Sequence, residues 1–285
     1  MRPSVHVIGA SGRSGSALCR ALAARGQAFV PVVRDAARWQ ATGLPGTPRL
    51  AELGDPEALP AALHDAVVIA GTAHARHAAR IIAAAPPEAR LVLLGSTRRF
   101  TRWPDAHGNG VIAGETALLA SGRNGVMLHP TMIYGAQGEN NVRRLASLLR
   151  RLPVIPLPGG GRALVQPINQ ADVTRALLAS LERDWHGPHS LVIAGPEPLA
   201  YRDFVASVAR AFGLPQRRVL DVPAFLLLPL AALMRALPGL PKVGPAEIRR
   251  LLEDRAFDIA PMRAALGFEP VSLQAGLAAM ASDRR

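Results

Sequence analysis

Val5-His-Val-Ile-Gly9-Ala-Ser-Gly12-Arg-Ser-Gly15 decides the fold. A short apolar run reads as a buried strand, and three glycines spaced three apart follow it at once. The stretch Gly15–Arg25 continues as an alanine- and leucine-rich helix that stops at Gly26. Each glycine has a separate physical task at a strand-to-helix turn. Gly9 permits the tight turn, Gly12 lets a ligand's pyrophosphate approach the backbone, and Gly15 lets the helix pack closely on the sheet. The free N–H groups at the helix start, with Ser11, Arg13 and Ser14 beside them, then favour phosphate.

The rhythm continues outward from that turn. Phe29–Val33, Ala66–Ala70, Leu91–Leu94 and Gly125–Leu128 read as strands. Helical patterns lie between them at Pro56–Leu63, at His74–Ala85 and in a segment ending with Glu115–Ser121. Pro31 inside the second strand suggests an edge or a bulge. Continuous apolar strands alternating with helices imply an α/β fold: a doubly wound parallel sheet covered on both faces, of the Rossmann type. Residues 1–150 are expected to form the nucleotide-binding domain. Residues 151–285 are expected to form a smaller C-terminal α/β substrate lobe, partly interleaved with the first. Its expected elements are helices at Asn140–Leu152, Asp172–Glu182, Tyr201–Phe212 and Glu247–Arg255, with a strand at Ser190–Ile193.

Composition narrows the function. The chain has 285 residues, and 49% of them are hydrophobic, enough for a globular core. The net charge is +12, from 33 basic and 21 acidic residues, and Lys242 is the only lysine. The arginines are scattered rather than gathered in a long run, so no nucleic-acid partner is expected. Anionic ligands or an acidic membrane surface fit the charge equally well. A single cysteine, Cys19, excludes an internal disulfide, and no metal-ligand spacing is present. No secretory signal opens the sequence, so a cytoplasmic protein is expected. Pro223–Leu240 is strongly apolar but short and broken by proline, which suits a packing helix or a peripheral membrane or protein partner better than a span.

The end of the second strand bears on the nucleotide. Arg34 precedes Asp35 there. An acid at this place suits the ribose hydroxyls of NAD, and an arginine suits the 2′-phosphate of NADP. NADP(H) is therefore favoured over NAD(H), unless Arg34 and Asp35 are simply solvated turn residues.

The Gly-x-x-Gly-x-x-Gly spacing resembles that of the extended and atypical short-chain dehydrogenase/reductases, and further segments agree. Leu53-Gly-Asp55-Pro56 resembles the segment whose Asp meets the adenine, and Val68-Ile-Ala70-Gly71-Thr72 the strand and turn beside the nicotinamide ribose. Leu94-Gly-Ser96-Thr97 resembles the strand that ends in an active-site hydroxyl. His129-Pro130-Thr131-Met132-Ile-Tyr134-Gly135 resembles the family's Arg-Pro-x-x-hydrophobic-Tyr-Gly turn, and Gln166-Pro-Ile-Asn-Gln-Ala-Asp172-Val173 its later helix start. The resemblance implies cofactor contacts at Gly9, Ser11, Gly12, Arg13, Ser14, Gly15, Arg34, Leu53, Asp55, Ala70, Gly71, Thr72, Ser96, Pro130, Thr131 and Met132.

The resemblance breaks at the proton chemistry. The family's Tyr-x-x-x-Lys pair has no counterpart, because the only tyrosines are Tyr134 and Tyr201. Alignment through Gly114-Glu115 puts His107 at the tyrosine position and Val111 at the lysine position. His107 is then a candidate acid or base, or a plain loop residue. Ser96 and Thr97 are candidate carbonyl-binding hydroxyls, or strand-end caps. Two functions follow as expectations: an oxidoreductase or sugar-nucleotide epimerase-like enzyme acting on a small molecule, or a non-catalytic NADP(H) sensor or accessory subunit such as those of respiratory complex I.

Overall fold

The computed structural model describes residues 4–135, 141–227 and 245–282. Seven strands form one parallel sheet: β1 (Val5–Ile8), β2 (Phe29–Val33), β3 (Arg49–Leu50), β4 (Val68–Gly71), β5 (Arg90–Leu94), β6 (Gly125–Pro130) and β7 (Pro188–Ile193). Their order across the sheet is β7-β6-β5-β4-β1-β2-β3, and every pairing is parallel. The chain winds outward from β1 in one direction and then from β4 in the other. The strand order therefore reverses between β1 and β4, where an open α/β sheet leaves a ligand crevice at its carboxyl edge. This is the doubly wound Rossmann architecture that the sequence implies.

The strands are buried on both sides, and alternate residues feed two cores. Val68, Ala70, Val92, Leu94, Val126 and Leu128 pack with helix α1 (Arg13–Ala24) on one face. Ile69, Leu91, Leu93 and Met127 pack on the other with helices α3 (Ala58–Leu63), α4 (Ala78–Ala84) and α5 (Ala106–Ser121). The short helix α2 (Ala36–Gln40) precedes these, and its Trp39 joins the first core. Leu18, Cys19 and Leu22 make one buried stripe on α1. Burying each leucine contributes about 1.5–3 kcal/mol.

Two local readings change for physical reasons. Pro31 does not sit on an edge strand, since β2 lies between β1 and β3. Val32 accepts from Gly9 on the β1 side and Val33 accepts from Ala51 on the β3 side, so Pro31 also faces β3. Strand β3 begins only opposite Val32, so no neighbour asks for the missing N–H. Helix α5 extends back to Ala106, so His107 is helical and not a loop residue, although Gly108, Asn109 and Gly110 look like a loop. Asp105 caps it by accepting from Gly108 N at 2.7 Å. The glycines serve packing: a Cβ on Gly114 would stand 2.1 Å from the Ala75 carbonyl, and one on Gly110 would stand 3.0 Å from His74.

Helix α6 (Asn141–Arg151) and helix α8 (Tyr201–Ala211) build the core of a second region with Tyr134, Val142, Leu149, Phe204 and Val208. Between them, helix α7 (Gln170–Glu182) and β7 return to the main sheet. Most of the apolar stretch Pro223–Leu240 lies outside the described residues. Among those described, no helix is long and apolar enough to cross a membrane.

Asp172 ties the returning helix to the C-terminal segment. It is fully buried, accepts from Val271 N at 2.8 Å and pairs with Arg175 at 2.9 Å. Asp172→Ala leaves that buried amide unsatisfied and is expected to cost about 2–3 kcal/mol. Urea denaturation followed by circular dichroism measures the loss; an unchanged midpoint would contradict this anchoring role.

Candidate active site

The glycine turn is held from three sides. Gly9 adopts φ +77°, a left-handed conformation open to glycine at little cost. Gly12 N donates to Gly9 O at 2.8 Å. A Cβ on Gly15 would lie 2.2 Å from the Gly9 carbonyl oxygen and 2.8 Å from Thr72 Oγ1. Thr72, at the end of β4, donates to Ile8 O at 2.8 Å and so bolts the turn to the neighbouring strand. Ser14 donates to Gln170 across 3.2 Å, joining α1 to α7. No side chain caps the start of α1 and its first turn carries no acid. Its first N–H groups therefore still lack partners, which suits an anion such as a pyrophosphate.

The acids near the adenine side serve the backbone. Asp35 caps α2 by accepting from Arg38 N at 3.1 Å. Asp55 accepts from Glu57 N at 2.9 Å and Ala58 N at 3.1 Å, and these bonds hold its carboxyl below the usual range. Arg80 reaches the Leu53 carbonyl at 3.4 Å. Arg13, Arg34 and Arg38 are exposed and, among the described residues, make no ion pair. The residues present fit a dinucleotide phosphate: uncapped amides, glycine-limited space and unneutralised guanidinium groups.

Strands β5 and β6 bring the candidate catalytic residues together only in part. Ser96 Oγ accepts from Arg98 N at 3.2 Å, capping the turn Thr97–Phe100. Thr97 is buried and donates to the Pro130 carbonyl at 3.2 Å, so its hydroxyl joins β5 to β6. His107 lies one turn of helix before Val111, which is buried in the core below it. The His107 ring packs edge-on against His74, 4.2 Å between centroids at 87°. Burial pushes the His107 pKa down to about 4, and the neighbouring His74 and Arg98 push the same way. His107 is thus neutral at pH 7.

Sequence reasoning passed over His129 as an individual side chain. It is fully buried, and its Nδ1 accepts from Ser96 N at 3.2 Å. Because Nδ1 accepts, the ring hydrogen sits on the other nitrogen, which faces Glu115 at 3.4 Å, and burial lowers the imidazole's pKa. Glu115, itself buried, is held by Arg99 and by the Ser190 hydroxyl. A Cβ on Gly95 would strike His129 Nδ1 at 2.4 Å, so the glycine makes room for the imidazole. The available signal was a histidine where the family turn has arginine.

A cavity of about 450 Å³ opens beside Ser96, within the usual range of small-ligand sites. Ser96, Thr97, Thr131 and Met132 form its floor at the ends of β5 and β6. The apolar side chains of α6 and of Val154–Leu157 form much of its wall. His107 is not among the described lining residues. Among the described residues no cluster of three or more His, Cys, Asp or Glu could hold a metal ion.

The chain matches no protein-family profile and no curated protein. Solved structures of similar fold span nearly its whole length. The NADPH-dependent quinone oxidoreductase of Escherichia coli, solved with NADPH, superposes with TM-score 0.76 at 19% identity, covering 97% of this chain and 99% of that one. A short-chain dehydrogenase/reductase superfamily protein from Agrobacterium tumefaciens with bound NAD gives 0.72 at 15% identity, over 99% and 96%. UDP-glucose 4-epimerase of Thermotoga maritima, with UDP-glucose, gives 0.72 at 14%, over 98% of each chain. The fold is that of the NAD(P)-binding short-chain dehydrogenase/reductases.

His107 generates a prediction about pH. Its folded pKa is lower than the unfolded value near 6.5. The neutral imidazole therefore contributes stability that is present above about pH 6.5 and is lost as pH falls towards 4. His107→Gln is expected to narrow the difference between the denaturation midpoints at pH 7 and pH 5. An equal difference in both proteins would show that this ring is not desolvated.

Proposed function

We propose that the chain binds NADP(H) at the carboxyl edge of its sheet and reduces the carbonyl group of an apolar substrate held beside Ser96. The observation that carries this reading is a shared floor. Ser96, Thr131 and Met132, which the family resemblance assigns to the cofactor, also line the 450 Å³ cavity. The preference for NADP rests on Arg34, exposed at the end of β2, and on Asp35, whose side chain caps α2.

When bound, the reduced nicotinamide supplies the hydride. The protein's part is to place and polarise the carbonyl. Ser96 Oγ accepts one hydrogen bond, and among the described residues its own O–H has no acceptor. That hydroxyl is free to donate a hydrogen bond to a substrate oxygen, and the proton that completes the reduction would come from solvent water. The His129–Glu115 pair fixes the Ser96 backbone from behind. The apolar wall excludes water and suits a quinone or another apolar carbonyl compound, in keeping with the quinone oxidoreductase among the similar structures.

A second reading has its own support. Val111 is buried where the family has its lysine, and His107 is neutral and packed on His74. A protein that binds NADP(H) without turnover, as a sensor or accessory subunit, needs no more than the glycine turn and Arg34.

Calorimetry with NADPH, NADP, NADH and NAD separates these readings from neither, followed by absorbance of the reduced nicotinamide with a small apolar quinone. Arg34→Ala is expected to weaken NADPH binding about tenfold, the loss of roughly 1.5 kcal/mol from one charged contact, and to leave NADH unchanged. Ser96→Ala is expected to lower turnover about a hundredfold, as removal of one preorganised donor does. Tight NADPH binding with no turnover on any carbonyl compound selects the second reading. Failure to bind any dinucleotide overturns both.

A further inference from the structure

The cavity has an apolar and a cationic lining. Leu145, Leu148, Leu152, Ile155, Leu157 and Leu251 offer only hydrocarbon. Four arginines also line it: Arg98, whose backbone N–H bonds Ser96 Oγ, Arg255, which donates to the Thr97 carbonyl, Arg250 close to both of these, and Arg144. Three carboxylates face these four cations among the described residues. Asp105 binds Arg98 and Glu253 binds Arg255, each in close contact. Glu247 lies 3.3 Å from Arg144 and 4.0 Å from Arg250. These contacts set three carboxylates against four guanidinium groups, and Arg250 has the longest of them.

Arg250 is costly where it stands. Burial pushes its pKa down most and Arg98 next, while Glu247 and Asp105 pull the other way and Arg255 adds a smaller downward push. A partly desolvated cation beside apolar walls gains most from an anion that brings its own hydrocarbon. The excess of one charge matches a single negative charge. A nucleoside diphosphate carries more charge, and its polar base and sugar would meet leucine side chains.

We infer that the cavity binds a monocarboxylate carried on an apolar chain, with the carboxylate on Arg250 and the chain along the leucine wall. This rests on the proposed function only in naming the substrate class, an apolar oxo acid whose carbonyl lies beside Ser96. Binding of the acid itself needs no dinucleotide.

The test uses the full chain without dinucleotide. Calorimetry compares decanoate, decanol and decyl phosphate, each below its aggregation concentration. Decanoate is expected to bind at least about tenfold more tightly than decanol, the usual scale for one charge-assisted contact. Arg250→Gln is expected to remove that advantage and leave decanol unaffected. Arg250→Lys keeps the charge and is expected to retain part of it, and Arg249→Gln, on the exposed neighbour, all of it. Equal affinity for decanoate and decanol overturns the inference on the wild-type protein alone, whatever the variants do. So does decyl phosphate binding more than about tenfold tighter than decanoate, which would point to a dianion. NADPH binding is titrated separately, so its failure counts against the proposed function and leaves the carboxylate result standing.

Discussion

The contact between Gly9 and Gly15 is the constraint on which the site depends. The Gly9 carbonyl stands where any side chain at residue 15 would begin, 2.2 Å from the missing Cβ. That approach brings α1 down onto the sheet and points its uncapped amides at the crevice. Thr72 completes the arrangement by donating to the carbonyl of Ile8, so β1, the turn and β4 form one unit. Because the sheet is parallel, every other loop that faces the crevice leaves its strand at the same edge. Arg34, Ser96 and Thr131 reach one side of the molecule for this reason alone.

The acids of this chain are few, and many of them serve structure. Asp35, Asp55 and Asp105 cap helices, Asp172 holds the C-terminal segment, and Glu115 and Glu253 are buried against arginines. With 33 basic residues against 21 acidic ones, the carboxylates used in this way leave arginines such as Arg13, Arg34 and Arg38 beside the glycine turn without an ion pair among the described residues. The +12 charge thus reflects where the carboxylates are used as well as how many there are.

The two positions where the family resemblance would put a tyrosine and a lysine are taken up by packing. Val111 fills the core at the lysine position, and His107 is turned onto His74 rather than into the cavity. In the proposed reduction the carbonyl would meet one hydroxyl, Ser96, whose backbone is held by His129 and, behind it, the buried Glu115.

The sequence by itself determined the β1–turn–α1 unit, the parallel sheet and the loss of the Tyr/Lys pair. These are local: they depend on glycine spacing, on apolar runs of strand length and on which residue types occur at all. It left His107 open as a loop residue, because glycines 108 and 110 look like loop when counted along the chain. Across space Gly110 and Gly114 are contact points for residues 74–76. Tertiary structure alone decided that His129 reaches Ser96 from 33 positions away, that Asp172 meets Val271 across 99, and that Arg255 meets the Thr97 carbonyl across 158. Whether a charged group is spent on a neighbour or left for a ligand depends on which distant residues the fold brings within 3 Å, and residue order carries no record of that distance.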